Sequence, residues 1–199
     1  MNVAPPRVTK CNGVTPFACM HGTIFAELKK YVDAKFGGGT WSKLLENAGL
    51  GPKIYLPVEA YPDDDVAKIV GAASQATGMS APAILQDFGE FIAPDLVAMY
   101  RSLMKPEWKT LEVIENAENT AHRVVRRDYI TAAPPYLHAL RTGPQQVTIT
   151  YNSARKLCDV AKGIVRGLAK HYNERVRIGE TRCMHRGAQE CILVIDRTQ

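Results

Sequence analysis

Residues 146–165 read QVTITYNSARKLCDVAKGIV. Val147, Ile149 and Tyr151 alternate with Thr148, Thr150 and Asn152, the period of a strand with one buried face. Beyond the YNSAR segment the period becomes helical, with Leu157, Val160, Ile164, Val165 and Leu168 spaced along residues 154–172. Upstream, YLHALR (136–141) alternates in the same way, and Thr142-Gly143-Pro144 joins it to QVTITYN as a hairpin. Downstream, RVRIGETR (175–182) and ECILVID (190–196) read as two closing strands around MHRGAQ (184–189). The second half of the chain is therefore expected to be a β-β-α-β-β arrangement.

The first half reads as helical. Ile24, Leu28, Tyr31 and Val32 recur along a helix from His21 to about Phe36, which the Gly37-Gly38-Gly39 run ends. Thr40 is the expected cap of a second helix carrying Trp41, Leu44 and Leu45. Residues 51–62 hold three prolines and read as loop. Asp63-Asp64-Asp65 opens a helix that runs to about Thr77 and stops at Gly78, negative charge being favoured at a helix N-terminus. Ser80 and Pro82 open another, and Pro94 is expected to kink or break it. Residues 109–127 carry Leu111, Val113, Ile114, Ala117, Ala121, Val124 and Val125 and read as one long helix with His122 on it. Pro134-Pro135 marks a rigid extended link. Residues 1–19 lack periodicity and read as an N-terminal extension, with the domain proper over 20–199 and Met20 its natural start. Cys11 and Cys19 fall in the extension, with no role assigned.

Among 199 residues the net charge is +5, but the basic residues are scattered. That is a solvated surface and not a nucleic-acid footprint. No stretch reaches the roughly 20 apolar residues of a membrane span, and no signal peptide is evident, so the expectation is a cytoplasmic protein. Five cysteines, an odd number, argue against a disulfide framework. In a reducing compartment, clustered cysteines point to metal or redox chemistry.

Tyr151, Ser153 and Arg155 occupy alternate positions. On an extended segment they face the same way and offer two hydroxyls and a guanidinium, a set suited to a carboxylate or phosphate. A capping serine beside a surface arginine gives the same pattern. His122 lies 29 residues before Tyr151, Pro135 lies 13 after His122, and the first helix begins MHGTIF. In this order and at these spacings, residues 20–197 resemble the haem nitric oxide/oxygen-binding (H-NOX) family, in its bacterial stand-alone form. The resemblance implies an α+β fold, with an N-terminal helical subdomain packed on a C-terminal antiparallel four-stranded sheet with helices and haem b between them. It implies His122 as the proximal iron ligand, Tyr151, Ser153 and Arg155 on the haem propionates, and Pro135 packed against the porphyrin. His21, His138 and His171 have no such context and are expected to be structural or surface residues.

The resemblance also implies a distal lining of Ile24, Leu28, Ile92, Leu96, Val160 and Ile164. All six are aliphatic, and oxygen-binding members place a tyrosine where this chain has Val160. A hydrogen bond worth about 0.5–1.5 kcal/mol changes affinity roughly two- to tenfold. Its loss penalises dioxygen far more than nitric oxide or carbon monoxide, so the expectation is a ferrous haem that binds the latter two and excludes dioxygen. Binding is then expected to loosen His122 from the iron and to flatten the haem against Pro135. The lining holds no acid-base pair for a haem enzyme, so no catalysis is expected. The chain is too short to carry an output domain as well, so the expected partner is a separate histidine kinase or cyclic-nucleotide enzyme.

Cys158, Cys183 and Cys191 form a candidate zinc site. Some family members bind zinc with matching cysteines and a histidine where this chain has Glu180, and His185 is an alternative fourth ligand. Buried thiols acting as small hydrophobes, or reversible thiol oxidation, are the other readings. Two functional alternatives stay open. One is a zinc or thiol redox sensor. The other is the smaller vinyl-reductase-type ligand-binding domain, which Glu180-x2-Cys183-x3-Gly187-x3-Cys191 also resembles and which lacks a haem histidine.

Overall fold

The computed structural model describes residues 19–128 and 134–198. The chain divides into two compact units, residues 1–84 with 125–133 and residues 85–124 with 134–199. The expected N-terminal extension lies, up to residue 18, outside the described residues.

In the first unit, strand β1 (Cys19–His21) pairs antiparallel with β2 (Ala60–Pro62), Met20 facing Tyr61. Cys19 is fully buried and disulfide-bonded, contrary to the expectation from the odd cysteine count. Helix α1 (Gly22–Phe36) buries Phe25, Leu28, Tyr31 and Val32 along one stripe. His21 caps it, its Nδ1 accepting the Thr23 backbone N–H at 3.3 Å, a structural role. Gly22 cannot be replaced without movement, because a Cβ there falls 1.9 Å from the Leu56 carbonyl oxygen. Helix α2 (Thr40–Asn47) starts after Gly39 in the left-handed conformation, so Thr40 is not the cap. Its hydroxyl instead donates back to the Phe36 carbonyl at 3.0 Å.

Helix α3 (Asp63–Thr77) ends at Gly78 (φ 72°), as the sequence predicts. Of its three leading aspartates, Asp65 is buried. It accepts from Tyr55 Oη at 2.8 Å and Lys53 Nζ at 2.5 Å, so the proline-bearing loop is fastened to α3 through one carboxylate. Tyr55 in turn stacks on Phe25 with centroids 4.2 Å apart, while Tyr61 and Trp41 meet it edge-on.

Helix α4 (Ala81–Tyr100) opens with Ser80 Oγ accepting the Ala83 N–H and runs on through Pro94 without the expected break. Proline removes one N–H and crowds the carbonyl four residues back, here that of Glu90. That carbonyl lies against Gly167, where a Cβ would sit 2.5 Å from it, so the missing side chain leaves it room to tilt.

The second unit holds α4 from residue 85, α5 (Thr110–Asn116), a π-turn (Glu118–His122), β3 (Tyr136–Gly143), β4 (Gln146–Asn152), α7 (Cys158–His171), β5 (Val176–Arg182) and β6 (Cys191–Arg197), while α6 (Arg123–Asp128), which continues from the π-turn, belongs to the first unit from Val125 on. The single helix expected over 109–127 is thus interrupted by a turn one residue wider. The four strands form an antiparallel sheet in the order β3-β4-β6-β5. Val147, Ile149, Tyr151, Cys191, Leu193 and Ile195 line its buried face, where Leu111 and Ile114 from α5 and Val165 and Leu168 from α7 complete the core. The mixed helical and antiparallel architecture matches the expected α+β class. No helix among the described residues is long and apolar enough to cross a membrane.

Helices α4 and α7 meet backbone to backbone. A Cβ on Gly89 would lie 2.3 Å from the Val160 carbonyl oxygen, one on Gly163 2.1 Å from that of Gln86, and one on Gly167 2.5 Å from Ala93 Cβ. Gly163→Ala therefore forces the helices apart. The expected cost is about 1–3 kcal/mol, read as a lower urea midpoint with an unchanged slope. Equal midpoints would remove the account of this contact.

Candidate functional site

His122 closes the π-turn. Its N–H donates to the Ala117 carbonyl, five residues back, at 3.1 Å. Side chains fill the hydrogen bonds that a wider turn disturbs. Thr120 Oγ1 donates to the Asn116 carbonyl at 2.7 Å, and Asn116 Nδ2 donates to that of Glu112 at 2.8 Å. The His122 ring is half-buried, and its Nδ1 lies 3.0 Å from Glu118 Oε2. Carboxylate oxygen only accepts, so Nδ1 carries the proton, and any metal-binding role falls to Nε2. The same Glu118 oxygen accepts the Leu137 backbone N–H at 3.2 Å, two residues after Pro135. Pro135 itself is half-buried in the link before β3.

Tyr151 is the last buried residue of β4, opposite Leu137 and Cys191. The strand ends at Asn152, however. Ser153 to Lys156 form a turn, with the Lys156 N–H donating to the Ser153 carbonyl at 3.0 Å and Lys156 itself at φ 51°. The expected alternation of Tyr151, Ser153 and Arg155 along one extended segment therefore does not hold. Ser153 is bonded instead to the Tyr151 side chain and to the Arg155 backbone, its Oγ accepting the Arg155 N–H at 3.3 Å. Burial pushes the Tyr151 phenol up to about 12, so it is a neutral donor throughout the physiological range.

Of the six expected lining residues, Ile92 and Leu28 are buried, and Ile24, Leu96, Val160 and Ile164 are half-buried. Ile24 and Leu28 belong to the first unit and the other four to the second.

Cys158 starts α7, Cys191 starts β6, and Cys183 follows β5. A bulge between Glu180 and Arg182 resets the alternation, so that Glu180, opposite Leu193, and Cys183 both turn inward. The Cys158, Cys183 and Cys191 sulfurs and a Glu180 carboxylate oxygen lie within 4.8 Å of one another. A zinc tetrahedron with bonds of about 2.3 Å has edges of about 3.8 Å, so a small contraction closes this set around an ion. Two cations compete for Glu180, Lys162 Nζ at 2.7 Å and Arg186 at 3.0 Å. Burial pushes Glu180 up, but the Lys162 bond and the neighbouring positive charge outweigh it and keep the carboxyl below its ordinary range. His185 is exposed, with Nε2 2.8 Å from the Lys156 carbonyl, and groups with Cys158 and Asp159. Sequence reasoning missed Glu118, Lys162 and Asp159. The four-residue spacing of Glu118 and His122 on a helix was the available signal for the first.

Residues 21–180 match the haem-NO-binding (HNOB) family. The chain belongs to that family. Among solved structures, it is similar to an H-NOX protein from S. oneidensis in the Fe(II)NO ligation state, with 26% identity, 90% of this chain and 100% of that chain covered, and a TM-score of 0.83. The H-NOX domain from Shewanella oneidensis in the Fe(II)CO state is similar at 26% identity, 90% and 99% coverage and TM-score 0.81. The unliganded Fe(II) H-NOX protein from K. algicida, at 22% identity, 90% and 97% coverage and TM-score 0.79, shares the fold. No curated protein matches the sequence. Membership of the haem-NO-binding family implies haem-based gas sensing.

Burial raises the Cys158 and Cys191 thiols, Cys158 well above its ordinary range, so both are protonated near neutrality in the metal-free chain. Thiolate is the reactive form. Alkylation of both by iodoacetamide at about pH 7.5 is expected to run roughly a hundredfold slower than in the unfolded chain, read by peptide mass spectrometry. Equal rates would contradict the buried, neutral cluster.

Proposed function

We propose that this haem-NO-binding protein senses nitric oxide at a ferrous haem b, also binds carbon monoxide there, excludes dioxygen, and signals to a separate histidine kinase or cyclic-nucleotide enzyme. The observation that supports the reading most is that His122, Tyr151, Ser153 and Arg155 fall in one compact unit and within the stretch matched to the family. The donor set fits the group. A neutral imidazole presenting Nε2 is a good iron ligand, and two hydroxyls beside a guanidinium suit the propionates. When bound, the haem supplies the iron to which a diatomic gas adds.

His122 would hold the iron, Tyr151, Ser153 and Arg155 would hold the carboxylates, and Pro135 would pack beside the porphyrin. Ile24, Leu28, Ile92, Leu96, Val160 and Ile164 offer no donor to a bound gas, which disfavours dioxygen. The family match disfavours the vinyl-reductase-type alternative, which has no haem histidine. A cytoplasmic location fits the three free thiols of Cys158, Cys183 and Cys191, while the disulfide at Cys19 pulls the other way.

The test is an absorption spectrum of the purified ferrous protein with and without nitric oxide. A Soret band that shifts to a five-coordinate nitrosyl form, with no stable oxy form in air, is the expected result. His122→Ala should lose the haem unless imidazole is added. Val160→Tyr should tighten dioxygen binding roughly two- to tenfold or more. A wild-type chain that takes up no haem would overturn the reading.

The cysteine cluster supports a second, independent function, a structural zinc held by Cys158, Cys183, Cys191 and Glu180. Metal analysis should find equimolar zinc, and Cys158→Ser should weaken it roughly tenfold or more. Full-affinity zinc in that variant would exclude this ligand set.

A further inference from the structure

Glu118 belongs to neither ligand set, yet one of its oxygens makes two bonds of different kinds. Oε2 accepts from His122 Nδ1 at 3.0 Å within the π-turn and from the Leu137 backbone N–H at 3.2 Å on β3. A surface ion pair would join two side chains and be worth little. This carboxylate is half-buried, and one of its partners is the backbone of another element, nineteen residues away in sequence. Sharing one oxygen makes the two bonds interdependent. Electron density drawn by one donor is withdrawn from the other.

We propose that Glu118 is a positioning residue. Its carboxylate fixes His122 as the Nδ1–H tautomer, raises the donating power of Nε2 toward iron, and links that ligand to the start of β3 beside Pro135. The inference rests on the haem reading above. Carboxylates behind metal-binding histidines fix the ring and raise its basicity in this way. The π-turn supplies the geometry, because its wider radius carries both His122 and Glu118 away from a regular helical register. The consequence is a direct path. A change in the pull on Nε2 alters the charge on the imidazole, hence the Nδ1 bond, hence the hold on Leu137.

The experiment compares wild type with Glu118→Gln and Glu118→Ala. Glutamine keeps the acceptor and the shape but removes the charge, whereas alanine removes both bonds. In the ferrous haem-loaded chain, resonance Raman of the iron–histidine stretch should move to lower frequency in Glu118→Gln. Haem loss to an acceptor globin should speed up roughly tenfold or more. In the haem-free chain, nitrogen NMR of the His122 ring should report the Nδ1–H tautomer in wild type. Leu137 amide exchange should be about two- to tenfold faster in Glu118→Ala and near wild type in Glu118→Gln, as loss of one hydrogen bond implies.

An unshifted iron–histidine stretch in a haem-loaded Glu118→Gln protein would overturn the proposal. So would a wild-type ring protonated at Nε2 only. Failure of the wild type to bind haem is a different result. It would remove the haem reading, and with it the proposed role toward iron, while the tautomer and the Leu137 amide would still report whether Glu118 holds both partners.

Discussion

Between α4 and α7 there is no room for a side chain at three positions. Gly89, Gly163 and Gly167 bring backbone groups and the Ala93 methyl to distances that any Cβ would violate. Since the glycines offer nothing to interlock, the helices are fastened at the rim of the contact. Gln86 donates to Asp159 at 2.8 Å and accepts from Arg166 at 2.5 Å, and Lys170 reaches Glu90 at 3.5 Å. The exposed pairs add little by themselves. Their value lies in register, because they join residues 73 or 80 positions apart along the chain. That register leaves Val165 and Leu168 to pack on the sheet while Val160 stays half-buried.

The thiol cluster shows a different balance. Without an ion, burial holds the Cys158 and Cys191 thiols neutral, and the Glu180 carboxylate beside them is already answered by Lys162 and Arg186. Lys162 is itself shared with Asp159 at 3.1 Å. An ion entering the set must release protons from the thiols and draw Glu180 away from at least part of this cationic pair, so affinity rises with pH. A histidine at position 180 would face no such competition. The glutamate makes the site more dependent on conditions.

Much of the architecture was legible because it follows from periods and stop signals. The hairpin at 136–152, the closing strands, and the helix from Asp63 to Gly78 all have alternation or helical spacing bounded by glycine or proline. The failures have physical causes. Pro94 did not break α4 because a glycine on another helix faces the carbonyl it crowds, and tertiary relief of that kind leaves no local trace. Thr40 could cap by composition, but Gly39 takes the left-handed turn that sets the helix start one residue earlier. The turn at Ser153–Lys156, which ends the alternation expected of Tyr151, Ser153 and Arg155, was not legible, because strand ends are set by which partner strand runs out first.

The π-turn is the hardest feature to see in sequence and the one with the most consequence. One added residue rotates the downstream helix by about 100° relative to the upstream one. Leu111 and Ile114 face the sheet core, and had the helix stayed regular, the apolar stripe that includes Ala117 and Ala121 would have continued on the same side. The extra residue is tolerated because Asn116 and Thr120 return side-chain donors to the carbonyls of Glu112 and Asn116. A polar stretch, Glu118-Asn119-Thr120, thus interrupts an apolar helix where its hydrogen-bonding groups are needed. Residues that look like helix surface in sequence are the parts that build the wider turn, and the histidine at its end is where that turn delivers a ring.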